Sequence, residues 1–235
     1  MFTKSAEFYD LLYGFKDYGA EVQKIHQIIQ QHKLSPGNSL LDIACGTGHH
    51  IQYLKRLYET EGLDLDKNLL DFAQSKNPEV SFHHANMIDF NLNKQFDVVL
   101  CLFSSIGYVK TAEKLRAALI NMAAHVAPGG VLLVEPWLTP DTYHGGRPHA
   151  LYIDEPQVKI ARMNVSRKEG NVSILDFHYL VATEAGVEQF NEIHELGLFT
   201  QSDHLDALND SGLKTSYDHS GLMDRGLYIG VKPVA

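Results

Sequence analysis

Cysteine is nearly absent from this chain. Cys45 and Cys101 are the only two in 235 residues, with no CxxC spacing, so neither a disulfide framework nor a thiolate metal cluster is expected. The thirteen histidines are scattered and none forms an HExxH-type pair, so no metal site is expected. No apolar run approaches the ~20 residues of a membrane span. The N-terminus MFTKSAEFYD lacks an apolar signal core, and a cytoplasmic protein is expected, without membrane partners. Positive charge is also scarce: 20 Lys plus Arg stand against 29 Asp plus Glu, a formal net charge of −9, with no basic cluster. A phosphate-backbone partner would need a concentrated basic face, so nucleic acid is excluded. Internal repeats and low-complexity tracts are absent as well.

What the chain does have is LLDIACGTGHH, Leu40 to His50. An apolar run delivers an acidic residue and two closely spaced glycines into an amphipathic segment, the pattern of a nucleoside-binding strand, tight loop and helix. Gly46 and Gly48 allow the backbone to pass close to a ligand, and Asp42 sets a carboxylate at the strand end. After Gly48 come His49-His50 and no third glycine, so the dinucleotide fingerprint GxGxxG is absent, and no GxxxxGK[ST] loop occurs, so a ligand without phosphates fits better. A nucleoside needs its ribose hydroxyls held by an acidic residue roughly 20 residues on. Asp64 stands there.

The remaining pattern alternates strand and helix. Helical spacing of Val22, Ile25, Ile28 and Ile29 predicts a helix over 20–33, before the Ser35-Pro36-Gly37 break. Strands are expected at 39–43, 61–63, 80–83, 96–103 and 131–135, with helices through Ile51, Leu54 and Leu57, over 65–75 and over 112–125. FDVVLCLF, Phe96 to Phe103, reads as a central parallel strand buried on both faces. This order dictates a parallel α/β sheet with right-handed crossovers. From 138 to 150 a Pro, Gly and His-rich loop is expected, then strand-like alternation at 158–165, 172–181 and 187–199 without intervening helices. A small antiparallel β lobe, 138–199, is thus inserted into a main domain of 1–137 and 200–235. Thr200 with Asp203 predicts a capping box and a helix to Asn209, and the last strands are expected at 213–217 and 227–231.

Asp42, Gly46, Gly48 and Asp64, followed by Pro128-Gly129-Gly130 before an apolar strand, together resemble the class I S-adenosylmethionine (SAM) dependent methyltransferases. That resemblance implies a Rossmann-like seven-stranded sheet. It makes Asp64 the ribose partner and Asp42 the partner of the cofactor's amino group, directly or through water; Asp64 could instead cap the following helix. Ala44, Leu65 and Leu102 fall where they would touch the cofactor. Asn86 would reach the exocyclic amine of adenine through its carbonyl, and Met87 would lie against the ring. Methyl transfer from a sulfonium depends mainly on alignment and a water-poor site, so a strong base is not obligatory. The candidates for orienting or deprotonating the acceptor are Tyr108, Glu135, His178, His194 and Glu195.

FYDLLY with KDY (8–13 and 16–18), FSSIGYVKT (103–111), GGVLLVEPW (129–137), IHELGLFT (193–200) and DRGLYIGV (224–231) resemble a narrower group across nearly the whole chain. These are the N,N-dimethyltransferases of nucleotide-linked 3-aminodeoxysugars. The resemblance implies that Tyr9, Tyr13 and Tyr18 close over the site, with Tyr18 on the cofactor and Tyr9 and Ser105 on the acceptor. It gives Tyr108 an orienting role and brings Arg225 to the substrate phosphates, with Lys16, Lys110 and Arg147 as further cations. Ala85-Asn86-Met87 replaces the group's Gly-Asp-Met. The expected acceptor is a small-molecule amine and a homodimer is possible. The alternatives are a methyltransferase for another small amine, a hydroxyl or an aromatic acceptor, and a SAM-binding regulatory or assembly protein without turnover.

Overall fold

A computed structural model describes residues 4–234. Its strands, in chain order, are β1 (Ser39–Ile43), β2 (Glu59–Asp64), β3 (Ser81–His84), β4 (Phe96–Cys101), β5 (Val126–Val134), β6 (Pro148–Glu155), β7 (Val158–Val165), β8 (Arg167–Glu169), β9 (Val172–Thr183), β10 (Gly186–Gly197), β11 (Lys214–Asp218) and β12 (Leu227–Val231). The helices are α1 (Tyr9–Leu12), α2 (Tyr18–His32), α3 (His49–Leu54), α4 (Lys67–Lys76), α5 (Ala112–Ala124) and α6 (Gln201–Asp210).

Seven strands form one sheet in the order β11-β12-β5-β4-β1-β2-β3. β1 to β5 pair in parallel, and the β11–β12 hairpin closes one edge antiparallel. The chain runs outward from β1 through β2 to β3, then returns to the other side of β1 as β4. In an open sheet of this kind ligands bind at the carboxyl ends of the strands where the order reverses, here the ends of β1 and β4. Both strands carry the apolar residues this requires: Leu41, Ile43 and Val99 pack toward α5, Leu40, Val98 and Leu100 toward α2, and all are buried.

The second sheet, β10-β9-β7-β6 with β8 pairing β9, is antiparallel throughout. Its inner face carries Ile160, Tyr179 and Val181, and receives Leu12 of α1. The N-terminal segment is thereby clamped between the two sheets. Trp137, where the chain leaves the first sheet, donates its indole N–H to Ser173 Oγ (2.9 Å), and Ser173 donates to Leu196 O (3.0 Å), tying the sheets together.

Several details differ from the sequence reading: β4 ends at Cys101 instead of Phe103, and β8 lies outside the expected strands. β6 begins within the expected loop, because His149, Leu151 and Ile153 meet β7 in register although alternation there is weak. β5 starts at Val126 rather than Val131, running through the Pro-Gly-Gly, with a register shift against β4 between Phe96 and Val98. Leu57 lies beyond α3 and is 45% exposed, since that helix ends after a turn and a half. The capping box at Thr200 is formed reciprocally with Asp203, a device worth about 1 kcal/mol.

Candidate functional site

The chain leaves β1 with Ala44 (φ 57°), Gly46 (φ 56°) and Gly48 (φ 74°) all in the left-handed region. A Cβ at Gly48 would stand 3.0 Å from Asn77 Nδ2 and 3.2 Å from Ala73 Cβ, so glycine is what lets α3 pack on α4. At Gly46 the surroundings are open: the nearest atom to a Cβ would be the Tyr9 hydroxyl at 3.9 Å. The space over this loop belongs to a cavity of about 340 Å³ lined by Gly46, Asp64, Leu65, Asn86, Met87 and Tyr108, among others. A smaller recess of about 30 Å³ adjoins it, bounded by Tyr18, Asp42, His49, Leu102 and Phe103. Tyr9, Ala44 and Ser105 line both.

Asp64 stands at the end of β2. Its Oδ2 accepts the Gly46 N–H (2.8 Å) and its Oδ1 the Asp66 N–H (2.8 Å). The cap of α4 is Asp66, which accepts from Asn68 and Leu69, so the capping alternative for Asp64 falls. Burial raises the Asp64 carboxyl above its usual range, with the backbone N–H donors opposing. Asp42 is 2% exposed, and its Oδ2 is buried without a hydrogen-bond partner. Burial, reinforced by the Asp64 charge, raises its pKa to about 8. An orphaned buried carboxylate oxygen beside an open glycine loop suits an ammonium ligand, and two lone pairs remain on Asp64 for ribose hydroxyls. The residues therefore fit SAM.

At the far wall, Asn86 Oδ1 accepts the Ile88 N–H (3.1 Å) in a local turn. One lone pair of its carbonyl is thus engaged, and the second lone pair and the amide NH₂ remain for the edge of a purine. Met87, Leu65, Leu69 and Ile88 supply the apolar walls.

The N-terminal segment closes the front. Asp10 accepts from Thr47 Oγ1 (2.8 Å) and pairs with His49 Nε2 (2.6 Å) and Lys76. Burial would raise its carboxyl, but the bonds from His49, Lys76 and Thr47 outweigh that and hold it well below the usual carboxylate range. Tyr18 stacks on the same His49, ring centroids 4.6 Å apart. Nothing in the sequence pattern singled out Asp10, whose partners lie 37, 39 and 66 residues away. Asp10→Asn is expected to weaken SAM binding about tenfold, the scale of one charge-assisted hydrogen bond. The loss should fall mainly on the dissociation rate, measurable by stopped-flow fluorescence.

On the acceptor side the Tyr108 hydroxyl lies 2.7 Å from His194 Nδ1. His178 does not join them. It alternates with inward-facing Phe177 and Tyr179 along β9, and its side chain is 59% exposed, beside Asp176 at 3.5 Å. Glu135 is buried but lies outside the cavity lining: its Oε2 accepts the Phe103 N–H (2.7 Å), holding a turn in which Phe103 and Ser104 are both left-handed (φ 51° and 63°). Burial raises its pKa. Arg225 donates to Ser104 Oγ (2.8 Å) and lies over the Trp137 ring at 5.2 Å, behind that turn. Lys16 is paired with Glu21 (2.8 Å) and Lys110 with Glu195, and Lys110, Lys114 and Glu195 line the cavity. Arg147 is exposed in the loop before β6.

Residues 40–130 match a family described as Methyltransferase domain. The chain is 38% identical over 230 residues to dTDP-3-amino-3,4,6-trideoxy-alpha-D-glucopyranose N,N-dimethyltransferase of Streptomyces venezuelae, covering 96% of this chain and 97% of that one. The crystal structure of Streptomyces venezuelae DesVI superposes with a TM-score of 0.92 at 36% identity, covering 99% and 100% of the two chains. SAM-bound CalS10, an amino pentose methyltransferase from Micromonospora echinaspora, does so with 0.86 at 30% identity, covering 99% and 98%. With its glycine loop, Asp42 and Asp64 assembled at the switch point of a class I sheet, the chain belongs to the SAM-dependent methyltransferases, in the family of the dTDP-aminodeoxysugar N,N-dimethyltransferases.

Proposed function

We propose that the protein methylates the amino group of a nucleotide-linked deoxysugar. The observation that carries this reading is one cavity that joins Gly46 and Asp64 to Ser105 and Tyr108, so that a cofactor face and an acceptor face meet in a single space. The relatives support the class of acceptor, while the sugar differs among them: an aminotrideoxyglucose in one, an amino pentose in another.

SAM supplies a methyl group on a sulfonium, and the chain's residues supply position. Asp64 holds the ribose hydroxyls and Asp42 the amino group, with Ala44, Gly46, Gly48, Leu65 and Leu102 shaping the backbone and walls around them. Asn86 meets the adenine edge through its side-chain amide, and Met87 covers the ring. Tyr18, stacked on His49, closes the recess at the methionine end. Tyr9 and Ser105 face both spaces and guide the acceptor, whose amine is oriented by the Tyr108 oxygen. The lobe of 138–199 forms the acceptor side, and the clamped N-terminal segment excludes water, which favours dispersal of the sulfonium charge. Glu135 acts through the shape of the Phe103–Ser104 turn, and His178 has no part in transfer.

The diphosphate is assigned to Arg225, a guanidinium with no carboxylate within ion-pair distance among the described residues. Arg225→Ala is expected to raise the acceptor KM about tenfold or more, the scale of a lost charge-assisted contact, with little change in SAM affinity. An unaltered KM there, with a raised one in Lys114→Ala, would move the phosphates to the cavity mouth. The function itself is tested by mass spectrometry after incubation with SAM. The panel holds dTDP-3-amino-3,6-dideoxyglucose, free amino sugars, biogenic amines and phenols. Methyl gain confined to the nucleotide sugar is expected, and methyl gain on another member would replace this acceptor.

A further inference from the structure

Tyr108 is the first member of a chain of polar groups that runs from the cavity into the inserted lobe. Its hydroxyl meets His194 Nδ1 at 2.7 Å. The other ring nitrogen of His194 faces Glu192, with Nε2 3.8 Å from Oε2, and both side chains are almost wholly buried. Glu192 in turn accepts from Ser5, from its N–H (3.1 Å) and from its hydroxyl. Glu192 and His194 alternate on β10 and so share the inner face of the second sheet, while Ser5 comes from the N-terminal segment that closes over the cavity.

From this geometry we infer that Tyr108, His194 and Glu192 form a proton relay that takes the proton from a bound ammonium acceptor, with Ser5 fastening Glu192 when the N-terminal segment is closed. The inference deepens the proposed function and rests on it for the identity of the acceptor. The Glu192 carboxylate, at 3.8 Å beyond direct hydrogen-bond reach of Nε2, favours by its charge the tautomer with N–H there, so Nδ1 accepts from the Tyr108 hydroxyl and the phenolic oxygen turns its lone pairs to the cavity. An amine at neutral pH arrives protonated and cannot attack. In the relay an N–H bond of the ammonium breaks as an O–H bond forms at Tyr108, and the original phenolic O–H breaks as an N–H bond forms at Nδ1. The products are a neutral amine with its lone pair free, a neutral tyrosine, and an imidazolium beside the Glu192 carboxylate. The proton then returns to bulk water between turnovers, and a second methylation repeats the sequence.

The surroundings suit this role. Burial lowers the His194 pKa while Glu192 opposes the shift, so the imidazole is neutral and ready to accept at pH 7. Burial raises the Tyr108 pKa, so the phenol passes a proton on rather than standing ionised. Among the described residues, Arg162 of β7 also faces His194; its guanidinium lies over the Phe177 ring at 4.5 Å and favours the neutral imidazole. Tyr13 and Tyr179 also face this cluster, and burial raises the Tyr179 pKa to about 12. His194 acts through Tyr108, and Glu192 is a positioning residue for His194.

The test compares the pH dependence of kcat for wild type, Tyr108→Phe, His194→Asn and Glu192→Gln, with dTDP-3-amino-3,6-dideoxyglucose as acceptor. Wild type is expected to be flat from neutral to alkaline pH. His194→Asn and Tyr108→Phe are expected to fall about 10²-fold at pH 7, the usual worth of a positioned base, and to recover as pH rises and the acceptor ammonium titrates. Glu192→Gln should lose about tenfold, again regained at high pH. Recovery at high pH in the same sample separates the relay from a misfolded variant. A loss of equal size at every pH, or no loss in Tyr108→Phe, would overturn the relay. If wild type turns over no panel member, the acceptor assignment fails, and the relay is judged by nitrogen NMR of His194. A protonated Nε2 with unprotonated Nδ1, the latter shifting in Tyr108→Phe, is expected; the opposite tautomer would refute it.

Discussion

Asp64→Ala is expected to raise the Kd for SAM by about 10²-fold or more, since two hydrogen bonds from ribose hydroxyls to a carboxylate are worth about 1.5 to 3 kcal/mol each. The structure adds a second consequence. Because Asp64 also accepts the Gly46 and Asp66 N–H groups, alanine leaves two buried donors unpaired and loosens the glycine loop itself. Asp64→Asn keeps one carbonyl acceptor and separates the two contributions: it should cost less loop order but still lose much of the affinity. Isothermal titration with S-adenosylhomocysteine, with hydrogen exchange at Gly46, reads both quantities. Wild-type affinity in Asp64→Ala would remove Asp64 from the cofactor site.

The second large effect is a pH dependence of cofactor binding set by Asp42. With its folded pKa raised to about 8, this carboxyl is mostly protonated in the free protein at neutral pH, and it must lose a proton to meet an ammonium. The sign follows: affinity climbs about tenfold per pH unit below 8. It declines again beyond about 8 as the ligand's own α-amino group loses its charge. Asp42→Asn is expected to abolish the acid limb and leave the alkaline one. Titrations in buffers of different ionisation enthalpy should register about one proton released on binding near pH 6.5 in wild type and none in the variant. Equal acid limbs in the two proteins would show that Asp42 does not bear the titration.

Many of the strands were readable because their signals are local. β1, β7 and β12 fall on the expected residues, since an apolar run or a two-residue alternation bounded by turn residues leaves little choice of element. The glycine loop with Asp42 and Asp64 was legible for the same reason: strand end, turn and next strand end are close in sequence. What the sequence hid is what only pairing across the two sheets creates. His178 and His194 look alike in alternating strands, and only the register of β9 against β10 and the position of Tyr108 turn one to solvent and the other to the site. Glu135 looks like a free carboxylate after an apolar strand, yet the left-handed Phe103–Ser104 turn claims one of its oxygens. Asp10 and Ser5 gained their roles when the N-terminal segment docked between the sheets.

The most direct measurement of the central claim uses SAM with an isotopically labelled methyl group and dTDP-3-amino-3,6-dideoxyglucose, followed by NMR of the isolated product. Label on the sugar nitrogen, dependent on Asp64 and reduced in Arg225→Ala, is the expected result. Label on an oxygen or a carbon of the acceptor would contradict the account, as would tight cofactor binding with all of the label left on SAM.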